Sequence, residues 1–80
     1  MYVEIDWWHT KKREIGYSLH LDGEGTYDSA VTAILEYCDR IDWTAIQNED
    51  GSIGIITPEC GFGFTREEIE KALKEGCVEL

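Results

Sequence analysis

Val3, Ile5 and Trp7 alternate with Glu4, Asp6 and Trp8, and further on Ile15, Tyr17, Leu19 and Leu21 alternate with Gly16, Ser18, His20 and Asp22. A period of two marks a strand with one buried face, so both runs are predicted as strands. The polar stretch His9 to Glu14 between them is short enough to be a hairpin loop, which makes the strands antiparallel neighbours. After Gly23-Glu24-Gly25 the spacing changes: Thr26 suits an N-cap, and Tyr27, Ala30, Val31, Ile34 and Cys38 recur at helical intervals. A helix is predicted from about Tyr27 to Arg40, with Asp28, Glu36 and Asp39 on its polar side.

A second hairpin follows. Trp43 to Gln47 and Ile53 to Thr57 flank a turn containing Asp50-Gly51, and Pro58, which cannot donate to a ladder, ends the second of these strands. Thr65 and Glu68 fit a capping box, Phe64 and Ile69 a hydrophobic staple, and Gly76 a C-terminal cap, so a second helix is predicted over about Arg66 to Glu75. Glu67 with Lys71 and Glu70 with Lys74 form i,i+4 pairs along it. The predicted fold class is α+β, order ββαββα: one antiparallel four-stranded sheet with two helices on one face. A shift of 38 residues superposes Ile15 on Ile53, Gly16 on Gly54, Gly23 on Gly61, Gly25 on Gly63 and Leu35 on Leu73, which suggests a duplicated ββα unit, residues 1–38 and 39–76, inside a single domain of residues 1–80.

Adjacent strand residues face opposite sides of a sheet, so one of Trp7 and Trp8 must point away from the core. If Val3, Ile5 and Trp7 face the helices, then Tyr2, Glu4, Asp6 and Trp8 lie on the open face beside Ser18, His20 and Asp22; alternation alone does not decide which of the two tryptophans is the exposed one. Charge sharpens this picture. The 80 residues hold 17 Asp or Glu against 7 Lys or Arg, a net charge of −10. Such a surface is repelled by phosphate backbones, which disfavours direct nucleic-acid binding, and by anionic membranes; basic protein surfaces are the favoured partners. The start of the chain has no basic, apolar leader and no run long enough to span a bilayer, so a soluble cytoplasmic protein is expected. A homodimer through the open sheet face is the other outlet for exposed aromatics.

Candidate chemistry is sparse. Cys38, Cys60 and Cys77 form an odd set without a C-x-x-C pair, are expected to be reduced, and at Cys38 and Cys77 read as small core hydrophobes. His9 and His20 stand apart from each other and from any paired ligands, so neither metal nor cofactor is predicted. The loops Gly23-Glu24-Gly25 and Gly61-Phe62-Gly63 read as tight strand-to-helix turns. Cys60, just before a helix, with His20 or His9 as base, is the one arrangement that could serve an enzyme, and Glu59 beside it opposes thiolate formation.

In length, in its charge of −10 and in its compact α+β layout, the whole chain resembles the small acidic inhibitors that phages use against host defence, anti-CRISPR proteins in particular. No shared motif carries the resemblance and no residue transfers with it. It implies a viral protein, working in the host cytoplasm, that covers a nucleic-acid-binding surface of an effector subunit by mimicking nucleic acid electrostatically. The anchors expected for such docking are Tyr2, Glu4, Asp6, Trp8 and Asp22, with Asp28, Glu36 and Asp39 as a second acidic strip. An antitoxin-like or adaptor domain is the alternative within the binding class, and the Cys60 enzyme the alternative outside it.

Overall fold

The computed structural model describes residues 1–80 as six strands and two helices: β1 Tyr2–His9, β2 Ile15–Asp22, α1 Tyr27–Arg40, β3 Thr44–Gln47, β4 Ile53–Ile56, β5 Gly61–Phe64, α2 Arg66–Glu75 and β6 Cys77–Glu79. The first hairpin pairs Tyr2 with Asp22 through His9 with Ile15, closed by Thr10–Glu14 with Arg13 at a φ of 62°. Both helices start as their caps dictate. Thr26 Oγ1 accepts from the Ser29 amide and Thr65 Oγ1 from the Glu68 amide, each within a reciprocal capping box. Gly76 ends α2 at a φ of 88°, a left-handed position that favours glycine.

The expected single four-stranded sheet is not formed. The strands divide into two three-stranded sheets, β1-β2-β6 and β3-β4-β5. The reason is edge satisfaction: each hairpin leaves one edge of its second strand unpaired, and a short strand later in the chain takes it. β6 adds to β2 through Ser18 with Glu79, Leu19 with Val78 and His20 with Cys77, and β5 adds to β4 through Ile53 with Phe64 to Ile56 with Gly61. With both edges used, β2 and β4 cannot join each other. The second glycine stretch is therefore strand rather than turn. Gly23, its counterpart in the 38-residue frame, has a φ of 117°, whereas Gly61 and Gly63 lack positive φ, so matched glycines serve different backbone roles.

One core unites the halves. Leu19, Ile34, Ile53, Ile55, Phe64 and Ile69 are each no more than 1% exposed, so both sheets and both helices contribute to it. An aromatic seam crosses the gap between the sheets. Tyr17 of β2 stacks on Phe62 of β5 at 4.8 Å and meets Phe64 edge-on at 5.4 Å, while Trp43 packs edge-on against Phe62 at 6.1 Å. Burial, and after it the nearby Glu68 carboxylate, raise the Tyr17 pKa. The hydroxyl of Tyr37 on α1 donates to the Ile5 carbonyl at 3.3 Å, tying the helix to β1. Along α2 neither expected pair, Glu67–Lys71 or Glu70–Lys74, forms an ion pair; Glu70 pairs instead with Arg66, Oε1 3.0 Å from Nε, and the Arg66 guanidinium lies 4.3 Å over the Tyr27 ring.

Cys38 is wholly buried on α1, and desolvation pushes its thiol pKa up to about 11. A thiol held protonated by folding stabilises the fold below the pKa of the unfolded chain, and that contribution disappears as pH rises through the folded value. Unfolding titrations should therefore lose about 2–3 kcal/mol between roughly pH 9 and 11, a loss that Cys38→Ala removes. An unchanged slope in that variant contradicts the assignment.

Candidate functional site

The open face of the β1-β2-β6 sheet is built by alternation. Val3, Ile5, Leu19, Leu21 and Val78 turn into the core, so Tyr2, Glu4, Asp6 and Trp8 of β1, Gly16, Ser18, His20 and Asp22 of β2, and Cys77 and Glu79 of β6 share the opposite face. Tyr2 is 64% exposed and Trp8 36%, and Glu4, Asp6, Asp22 and Glu79 are exposed around them. Trp7, on the inner phase, is half-buried and meets the His9 ring edge-on at 5.5 Å.

Trp8 is seated by the absence of a side chain opposite it. It pairs with Gly16, and a Cβ there would collide with Nε1 and Cε2 of the indole. Gly16→Ala should dislodge the ring while leaving the strand intact, because Gly16 lacks positive φ. The expected result is a changed Trp emission spectrum, with a shift in unfolding midpoint within what an exposed substitution produces. An unchanged spectrum contradicts this seating.

The three acids expected as a second strip, Asp28, Glu36 and Asp39, are exposed on α1. They do not extend the sheet's open face. α1 packs Ala30, Val31, Ile34 and Cys38 into the core on the inner side of that sheet, so its polar side and the open face point away from the core in different directions. Five residues of the open face were not among the expected anchors: Gly16, Ser18, His20, Cys77 and Glu79. Ser18 is 4% exposed, with its hydroxyl 3.3 Å from His20 Nε2. Cys77, read from the sequence as a core hydrophobe, is instead half-buried on this face, its Sγ 3.9 Å from His20 Nε2. Strand alternation carried a signal for His20, but Cys77 and Glu79 belong to a three-residue strand too short to show periodicity.

Cys60 lies elsewhere. It closes the β4–β5 turn, where its amide donates to Thr57 Oγ1 at 2.9 Å and its carbonyl accepts from the Thr57 amide at 2.8 Å. The imidazole of His20 stands by Cys77 and that of His9 by Trp7, so the alternative Cys60–His pair is not assembled.

The other sheet is open in a different way. Ile46 and Ile56 are 50% and 55% exposed on the outer phase of β3 and β4, where Ile46 pairs with Gly54 and Ile56 with Gly61. That surface is aliphatic and uncharged, in contrast to the acidic, aromatic face. No helix is long and apolar enough to cross a membrane. Comparison of the chain with protein-family models, curated proteins and solved structures finds no match among any of them.

Proposed function

We propose that this chain is a small acidic binding protein that docks the open face of its β1-β2-β6 sheet onto a basic surface of a partner protein, as an inhibitor occupying a surface that otherwise holds nucleic acid. One observation carries the reading: Tyr2 and Trp8 remain exposed on a face whose other exposed residues include Glu4, Asp6, Asp22 and Glu79. Rigid aromatic groups supply contact area with little ordering cost, and surrounding charge orients and speeds encounter. The net charge of −10 favours the same class of partner. Like charges argue against the homodimer: two copies packed through this face would bring their carboxylates together without counter-charge.

The test is competitive capture. Immobilised wild-type chain should retain nucleic-acid-binding proteins from a lysate at low salt, and added DNA or RNA oligonucleotides should release them. The Asp6→Lys/Asp22→Lys variant should retain markedly less of them at the same salt. Equal retention of the same proteins by that variant, or retention that nucleic acid does not disturb, contradicts the proposal.

A further inference from the structure

Three polar groups on the open face, two exposed and one half-buried, converge more closely than the docking reading requires. Glu4, Asp6 and His20 each offer one ligand atom, and these atoms all lie within 4.8 Å of one another. The sheet brings this about. Glu4 and Asp6 are two apart on β1 and so share a face, and the hairpin register sets His20 directly across from Glu4. We propose that Glu4, Asp6 and His20 form a surface site for a divalent transition-metal ion of the zinc class, with the remaining coordination position open to solvent.

The donor set defines the class. Calcium and magnesium take oxygen donors, whereas an imidazole with two carboxylates suits zinc and its neighbours. Three protein ligands plus an open position is also the composition of zinc sites that keep a water. The fit is within reach of side-chain rotation. Tetrahedral ligands about 2.0–2.2 Å from the ion stand about 3.3–3.6 Å from one another, so a spacing of up to 4.8 Å needs to close by up to about 1.5 Å. Glu4 and Asp6 are exposed and free to make that movement. The ion also relieves the repulsion between two carboxylates held on the same face of one strand. Cys77 flanks His20 from β6 on the side away from Glu4, and the site proposed here does not include its thiol.

The inference does not rest on the docking proposal, because it concerns the isolated chain and is tested without a partner. Zn²⁺ is titrated into the reduced full-length protein by calorimetry, beside Glu4→Gln, Asp6→Asn, His20→Gln and Cys60→Ser/Cys77→Ser variants, with circular dichroism verifying that each is folded. One Zn²⁺ per chain is expected, with affinity reduced at least about tenfold in each of the three ligand variants and unchanged in the double-serine variant. Excess Ca²⁺ or Mg²⁺ should not displace it. Binding unaffected by His20→Gln, binding abolished by loss of the thiols, or equal competition by Ca²⁺ each overturns the proposal, the last by reducing the site to an ordinary acidic surface. In ¹H–¹⁵N spectra, Zn²⁺ should shift the His20 ring signals before those of His9, and the reverse order contradicts the assignment.

Discussion

Phe64→Ala is expected to remove about 3–5 kcal/mol of stability, the usual loss for truncating a buried phenylalanine. Phe64 is 1% exposed, sits on the last position of β5 just before the α2 N-cap, and meets both Tyr17 and Phe62 edge-on. Its removal opens the core where the two sheets meet. A domain of this length holds roughly 4–12 kcal/mol in total, so the loss is at least about a quarter of it and the denaturation midpoint should fall sharply. Chemical denaturation followed by circular dichroism reads the effect directly. Ile56→Ala, at a 55% exposed position on the outer phase of β4, is the control and should cost less than about 1 kcal/mol. Equal losses in the two variants would mean that the aromatic seam does not join the sheets.

The second large effect concerns function. Asp6→Lys with Asp22→Lys changes the net charge from −10 to −6, each substitution adding two units, and both changes lie on the open face. Electrostatic steering accelerates association by roughly ten- to a thousandfold at low ionic strength, so the variant should associate with a captured partner at least about tenfold more slowly in dilute buffer. The gap between wild type and variant should narrow as salt is added, because exposed charges more than about 10 Å apart are largely screened at 0.1 M. Neither aspartate is buried, so the unfolding midpoint should barely move. Equal association rates at low salt contradict electrostatic docking through this face.

The extent to which the sequence disclosed this molecule depended on how local each signal was. Both helices run over the residues expected of them, Tyr27–Arg40 and Arg66–Glu75, because their boundaries are written in nearby side chains: Thr26, the Thr65–Glu68 pair and Gly76. That Tyr2, Glu4, Asp6 and Trp8 share one face was equally legible, since strand alternation needs no knowledge of the rest of the fold, but which of Trp7 and Trp8 faces outward became clear only with the core in place. Sheet organisation was not. Which strand takes the free edge of β2 depends on Cys77–Glu79, far along the chain, and Gly61-Phe62-Gly63-Phe64 can be read either as a glycine turn or as an alternating strand until its pairing with β4 is known. The same distance hid the surroundings of His20. Its neighbours come from three strands, and a residue that looks isolated in sequence lies between Glu4 on one side and Cys77 on the other.

The two open faces differ enough to be told apart by a single footprint. With a ¹⁵N-labelled chain and an unlabelled partner recovered by nucleic-acid elution, perturbed amides should map to β1, β2 and β6, and the Trp8 indole N–H should be among the most strongly shifted signals. Perturbations centred instead on Ile46 and Ile56, with the Trp8 signal unmoved, would show that the partner is held by the aliphatic sheet and that the acidic face is not where this protein docks.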